Sequence, residues 1–201
     1  MNQAQAAFFD SQAEAPWADA PYGESEASKL KRLLSLCGPL KGKAVLEPGC
    51  GTGRLTQWLA QVVGPGGCVQ ACDISGRMVR KAQERTCGLV QVRIYHAAME
   101  DLDLAGGSLD LVLCHQVFPH FKDQSAALAY IAKVLKPGGT LVIAHFECRR
   151  HINDVHRKAG TVVEHDQLPE RQEIEVMLNA VGLRIRHYFD DPKLGYLLIA
   201  R

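Results

Sequence analysis

A run of glycines at alternate positions, set between a short apolar strand and an amphipathic helix, constrains this chain more than any other feature. Lys43 to Glu47 reads as a strand, and Pro48-Gly49-Cys50-Gly51-Thr52-Gly53 follows it directly. After the glycines, Leu55, Leu59, Val62 and Val63 recur at helical spacing until Gly64-Pro65-Gly66-Gly67 closes the helix. Glycine, lacking a Cβ, lets the backbone turn tightly and lets a ligand approach the main chain. The spacing is GxGxG. The dinucleotide fingerprint GxGxxG asks for glycine at position 54, where Arg54 stands. Asp73 ends the second strand about 24 residues after Gly49, where a carboxylate accepts both hydroxyls of a ribose. That acid suits any ribose-bearing cofactor, so the glycine spacing is the discriminating feature.

The rest of the chain alternates strand and helix. Further strands are predicted at Cys68–Cys72, Gln91–Tyr95, Leu109–Cys114 and Thr140–Phe146. Ser75 caps a helix with Met78 and Ala82 inward and Arg77, Arg80, Lys81 and Arg85 in water. Asp123 caps another with Leu128, Ile131, Val134 and Leu135 on one face, ending at Lys136-Pro137-Gly138-Gly139. Strands separated by such helices imply crossovers and a parallel sheet covered on both faces. The end differs: a helix over Glu170–Val181 leads into Leu183–Phe189, a turn at Asp190-Asp191-Pro192, and Leu194–Ala200. So short a turn pairs its strands antiparallel. The expectation is an α/β, doubly wound, seven-stranded, mostly parallel sheet with an antiparallel C-terminal strand. Residues 1–201 form one domain on this reading, with 1–25 as an arm or lid and 147–168 as an insertion.

Composition removes several partners. Lys and Arg number 23 against 22 Asp and Glu, so no global field draws nucleic acid or an anionic membrane. Aromatic residues at 6% leave little for base stacking. The seven cysteines include no CxxC pair, which favours buried thiols over redox or metal work. Leu111 to Phe121 is too short to span a bilayer, which takes about 20 residues. Met1 to Asp10 lacks the basic start and apolar centre of a secretory signal. A reduced, cytoplasmic protein without membrane insertion is expected.

VLEPGCGTG at 45–53, CDIS at 72–75, LDLVLCHQVFPHF at 109–121 and LKPGGTLVIAHF at 135–146 resemble the class I S-adenosylmethionine (SAM)-dependent methyltransferases. The likeness is to the small ubiquinone/menaquinone C-methyltransferase-like type and covers residues 40 to 147 best. It implies SAM as cofactor and a Rossmann-like methyltransferase fold. Position by position, it places Glu47 near the methionine end of SAM, and Gly49, Cys50, Gly51 and Gly53 under methionine and ribose. Asp73 would take the ribose hydroxyls, Ile74 the adenine face, and Met78 a more distant place. His96 to Glu100 aligns with a loop that often reads GDAE, whose aspartate falls at Ala98. The backbone of Met99 would then hold the adenine edge, with Glu100 or Asp101 compensating. Cys114 and His115 would border the transferable methyl. Phe8, Phe9, Asp10 and Trp17 match a segment that folds over cofactor or acceptor in relatives; an N-terminal helix docked on the core is the alternative.

Histidines crowd the acceptor side. In open α/β sheets the ligand crevice lies beyond the carboxyl ends of the parallel strands. His115 and His120 follow the fourth strand; His145, His151, His156 and His165 follow the fifth, although the whole chain has only eight histidines. If Arg149 to Gly160 is a helix, Ile152, Val155 and Ala159 form its apolar stripe, with His156 inward and His151 on the opposite shoulder. A polar acceptor pocket, a His/Glu metal site and structural or surface histidines all remain open, and the absence of HxH or HxxxH weighs against metal. Methyl transfer needs collinear placement, and a base only when the acceptor atom arrives protonated. The candidate bases are His145 first, then His156 and His115, with Glu147 as an orienting or alternative base. Arg149, Arg150, Arg157 and Lys158 favour a small anionic acceptor. The rivals are a SAM-binding protein without catalysis and an NAD-binding oxidoreductase.

Overall fold

The computed structural model describes residues 3–159 and 162–201. Its strands are β1 (Ala44–Pro48), β2 (Cys68–Asp73), β3 (Val92–His96), β4 (Leu109–His115), β5 (Leu135–His145), β6 (Ile185–Asp191) and β7 (Gly195–Ala200). They run in the order β3-β2-β1-β4-β5-β7-β6. The α/β class and the seven-stranded, mostly parallel sheet expected from the sequence are therefore present. Among the described residues the helices are α1 (Gln3–Gln12), α2 (Pro16–Asp19), α3 (Glu24–Cys37), α4 (Arg54–Val63), α5 (Gly76–Arg85), α6 (Gln124–Val134), α7 (Arg149–Ala159) and α8 (Arg171–Ala180). No helix among the described residues is long and apolar enough to cross a membrane.

Two compact units divide the chain, Met1–Asp103 and Leu104–Arg201. In the first, β1 pairs parallel with β2 and β2 with β3. Its core is aliphatic: Val45 and Leu46 from β1, Leu55, Leu59 and Val63 from α4, Val69 and Ala71 from β2, and Ala82 from α5 are all buried. Ser75 caps α5 as expected, its hydroxyl accepting from the Met78 amide at 3.1 Å. The helix α3, which buries Leu30, Leu33 and Cys37, was not singled out from the sequence.

The N-terminal residues pack against α5 of this unit. Residues 3–19 form α1 and α2, and Ala13 and Ala18 pack on Met78 of α5. Lys81 Nζ reaches Glu14 and Asp19 at 2.8 Å each, and Arg85 contacts Asp19 at 2.5 Å. Lys81 and Arg85 are consequently half-buried, not the solvated face that helical periodicity suggests.

In the second unit β4 and β5 are parallel, while β7 runs antiparallel to both β5 and β6. The pairing slips between Leu109/Leu135 and Leu111/Thr140, so Lys136 to Gly139 bulge within the strand where the sequence suggests only a helix stop. Asp123 caps α6 through the Ala126 amide at 2.9 Å. β6 runs on through Asp190 and Asp191, which pair with Tyr196 and Gly195. The turn therefore falls at residues 192–194, held by Asp191 Oδ1 accepting from the Lys193 and Leu194 amides.

The amphipathic reading of α7 needs correction. Ile152 is buried, but Val155 is 47% exposed and Ala159 is exposed as well. Asn153 takes the inward place instead, donating to the Leu168 carbonyl at 3.0 Å and accepting from the Leu168 amide at 2.8 Å. A polar side chain with both ends satisfied is buried at little cost, and that decides the helix face. The predicted end of this helix at Gly160 lies outside the described residues.

Candidate functional site

Each unit carries a polar cluster at the carboxyl ends of its parallel strands. In the Met1–Asp103 unit the glycine turn forms one wall. Gly49, Gly51 and Gly53 all adopt positive φ, at 65°, 54° and 79°. Gly53 could not be replaced without displacement, since a Cβ there would lie 2.9 Å from Ala82 Cα on α5. At Gly51 a Cβ would meet nothing within 4 Å, so that stretch of backbone borders open space. The amide of Gly51 donates to Asp73 Oδ2 at 2.8 Å, and the Ser75 amide to Oδ1 at 2.9 Å. The carboxylate is thus oriented by backbone, with lone pairs left on both oxygens. Burial raises its pKa, and the Ser75 and Gly51 amides oppose that shift.

Glu47 is fully enclosed and accepts from Thr56 Oγ1 at 2.7 Å. Burial pushes its carboxyl up to about 8 despite the Thr56 hydrogen bond, and the nearby Asp73 charge adds to the rise. Cys50 is buried in an apolar cluster with Ala71, Ala82 and Ile94, and its thiol donates weakly to the Gly51 carbonyl at 3.8 Å. Burial pushes the Cys50 and Cys72 thiols up, consistent with inert core cysteines.

Ile74 is half-buried, and its carbonyl contacts His96 Nε2 at 3.1 Å. Met78 is buried beneath the N-terminal segment. Ala98 precedes the short 3₁₀ turn Met99–Asp101, with the Met99 side chain buried and Glu100 exposed. Asp10 of α1 accepts from Ser75 Oγ at 2.5 Å and from the Arg77 amide at 2.9 Å, capping α5 from outside. Arg54 donates to the Trp17 carbonyl at 2.5 Å, approaches Glu26 at 3.5 Å and lies 3.9 Å over the Tyr22 ring. The side chain that breaks the dinucleotide fingerprint therefore anchors the N-terminal segment.

In the Leu104–Arg201 unit four histidines converge. His115, at the end of β4, meets Phe146 edge to face with ring centroids 4.6 Å apart. Cys114 beside it is buried. The rings of His120 and His156 lie 4.7 Å apart. Asp166 binds both: its Oδ2 lies 2.7 Å from His120 Nδ1, and its carbonyl accepts from His156 Nδ1 at 2.5 Å. His145, at the tip of β5, is 6% exposed. Burial holds its pKa well below the ordinary value, and the neighbouring His115, His120 and His156 add to the depression. It is a neutral imidazole at physiological pH. Burial lowers His156 too, against the opposing Asp166 carbonyl.

The remaining histidines do not join this cluster. His151 and His187 are exposed, and His165 stands in solvent beside Glu164. Glu147 is exposed. Of the four basic residues, Arg149 pairs with Glu170 and Asp190 and Arg157 with Asp154, while Arg150 and Lys158 are exposed. Among the described residues no group of three or more His, Cys, Asp or Glu side chains is arranged to hold a metal ion.

Several members of these clusters carried no signal in the sequence. Thr56 lies one turn into a helix whose interest had seemed purely apolar. Asp166 sits in a polar loop without periodicity. Tyr196, whose ring meets that of His145 edge to face with centroids 6.2 Å apart, lies in a strand, β7, that reads as core throughout.

Residues 46–143 match the family model described as a methyltransferase domain (Methyltransf_11). The chain is 38% identical over 115 residues to the nocamycin O-methyltransferase of Saccharothrix syringae, a match covering 55% of this chain and 40% of that protein. It is 34% identical over 112 residues to the demethylmenaquinone methyltransferase of Staphylococcus aureus, covering 56% of this chain and 46% of that one. The chain thus spans less than half the length of these curated relatives. Its fold is similar to that of the magnesium protoporphyrin IX methyltransferase of Synechocystis PCC 6803, solved with bound SAH. The TM-score is 0.69 at 21% identity, over 98% of this chain and 96% of that one.

Proposed function

We propose that the chain is a class I SAM-dependent methyltransferase, a reading supported by the methyltransferase-domain match over residues 46–143 and the methyltransferase relatives, and that it transfers a methyl group from SAM to a small-molecule acceptor beside the histidines of the Leu104–Arg201 unit. Residues 1–201 act as one methyltransferase domain in this reading, with 1–25 as its arm and 147–168 as the acceptor-side insertion.

The observation that carries the proposal is the joint of Gly51, Asp73 and Glu47. A backbone stretch open at Gly51 is tied to one buried acid and lies on the turn that follows the other. These residues fit a ligand that is cationic at one end and carries vicinal hydroxyls at the other. Glu47 would face the charged methionine end, Asp73 the ribose, Ile74 and the Met99 backbone the adenine, and the turn 49–53 the length between. SAM supplies an activated methyl on sulfur.

The chain's own part is placement and proton handling. His145 is the first candidate base, since burial keeps it neutral and able to take a proton. His156 comes next: its Nδ1 donates to the Asp166 carbonyl, which leaves Nε2 as the basic nitrogen. His115 and the exposed Glu147 follow.

Titration calorimetry tests the cofactor half. SAM and its demethylated product should bind saturably and NAD should not; saturable NAD binding without SAM binding would end the proposal. With an acceptor in hand, His145→Ala should lower turnover by about 10²–10⁴-fold. Full turnover in that variant would remove His145 as base.

A further inference from the structure

One pair of buried polar atoms lacks any hydrogen-bond partner within the described residues, and one of the two, the Tyr196 hydroxyl, has no part in the proton handling above. Among the described residues neither His145 Nε2 nor the Tyr196 hydroxyl has a hydrogen-bond partner, although both are sealed from solvent. Tyr196 is 1% exposed. The two residues are direct partners across β5 and β7, and their rings meet edge to face with centroids 6.2 Å apart. The backbone imposes this closeness. A Cβ at Gly195 would lie 2.4 Å from the His145 carbonyl oxygen and 2.7 Å from that of Phe146, and Gly195 has φ +87°. Only glycine lets β7 begin this tightly against the end of β5. Tyr188 braces Tyr196 from β6 with ring centroids 5.7 Å apart, and the Arg171 guanidinium covers Tyr188.

Unsatisfied buried polar atoms are rare in folded proteins because each forfeits its hydration. Two of them side by side, of complementary kind, mark a place where a ligand completes the hydrogen bonding. We propose that His145 Nε2 and the Tyr196 hydroxyl form a two-point site for an uncharged hydroxyl group on the methyl acceptor, making this an O-methylating site with Tyr196 as its recognition residue. The inference rests on the methyltransferase reading of the previous section.

The chemistry selects the group. An unprotonated imidazole nitrogen needs a donor, and a tyrosine hydroxyl can donate in turn. A hydroxyl satisfies both at once: it gives its proton to Nε2 and its oxygen receives from Tyr196. A carboxylate has no proton to give, and an ether has none either. Burial keeps both side chains uncharged, pushing the tyrosine up and the histidine down, so neither of the two carries a charge to hold an anion. In the transfer the acceptor oxygen forms a bond to the methyl carbon and the carbon–sulfur bond breaks. The bonding pair leaves with sulfur, and the hydroxyl proton passes to His145 Nε2.

Tyr196→Phe separates recognition from structure. If the hydroxyl is an unfilled ligand contact, its removal relieves a buried unsatisfied group, and the Tm of the ligand-free protein rises by about 2–6 °C. A hydroxyl satisfied within the folded protein, by water for example, gives a fall in Tm and overturns the proposal. Binding is read by imidazole ¹⁵N and tyrosine ring NMR with phenol, anisole and benzoate as probes. Phenol should shift the His145 and Tyr196 signals saturably. Anisole and benzoate should bind at least about tenfold more weakly, and Tyr196→Phe should weaken phenol by a similar factor. Equal binding of anisole, absence of any saturable phenol shift, or an unchanged phenol affinity in Tyr196→Phe overturns the site. Calorimetry with SAM on the same samples keeps the two ideas apart. SAM binding without a phenol site defeats only the hydroxyl proposal, whereas a phenol site without SAM binding defeats the methyltransferase reading.

Discussion

The two units solve the burial of polar groups in opposite ways. In Met1–Asp103 the two buried carboxyls are each held by a donor close at hand: Thr56 for Glu47, the Gly51 and Ser75 amides for Asp73. In Leu104–Arg201 the groups are histidines and a tyrosine, and His145 and Tyr196 find no hydrogen-bond partner among the described residues. The first arrangement suits a fixed cationic cofactor with known hydroxyls. The second leaves its hydrogen-bonding capacity for something outside the chain.

This contrast has a pH signature of opposite sign in the two units. Glu47 keeps its proton to about 8 when folded, against an ordinary 4.5. Between those values the folded chain binds a proton that the unfolded chain has released, so stability falls as pH rises through the window. Glu47→Gln should abolish that limb, a difference on the order of 3–5 kcal/mol between its ends, seen in urea titrations at pH 5 and pH 8. His145 behaves in reverse, because its folded pKa lies below the ordinary 6.5. Below that value the unfolded chain binds the extra proton, and stability falls with falling pH. His145→Asn should flatten the acid limb and leave the alkaline one alone. If both substitutions flatten the same limb, the distinction between the units fails.

The glycines provide a sharper, somewhat smaller test. Gly53→Ala meets both a positive φ and the backbone of α5, so it should lose roughly 2–4 kcal/mol of stability in denaturant unfolding. Gly51→Ala meets only the φ, and should lose about 1 kcal/mol while still impairing SAM binding by calorimetry. Equal losses at both positions would mean that packing on Ala82 is not what Gly53 secures. The smallest effect is expected at Asp166→Asn. The variant weakens a partly buried contact to His120 but keeps the carbonyl that binds His156, so a stability loss of about 0.5 kcal/mol should follow. Its readout is thermal unfolding together with the ¹⁵N shifts of His120, which should move while those of His156 stay.

Much of the fold was legible because the signals are local. Strand, glycine turn and helix succeed one another between Lys43 and Gly64, and each rests on residues within a few positions of its neighbours. The caps Ser75 and Asp123 and the antiparallel C-terminal pair are of the same kind. The α7 face failed the same local test: Val155 looks apolar by periodicity, but Asn153 is buried because Leu168, fifteen residues on, satisfies its amide. Lys81 and Arg85 read as solvated until Asp19, more than sixty residues away in sequence, covers them. His145 stood out through histidine density, and His151 shared that density but ends in solvent.

The sequence by itself determined the α/β alternation, the turn at residues 47–53 and the acid that closes the second strand, since backbone geometry and hydrophobic period are written in neighbouring residues. The tertiary structure alone decided which histidines meet, that Asp166 holds two of them, and that Tyr196 faces His145. Those pairings depend on strand register and on loops returning from a distance, and neither leaves a periodic trace in the chain.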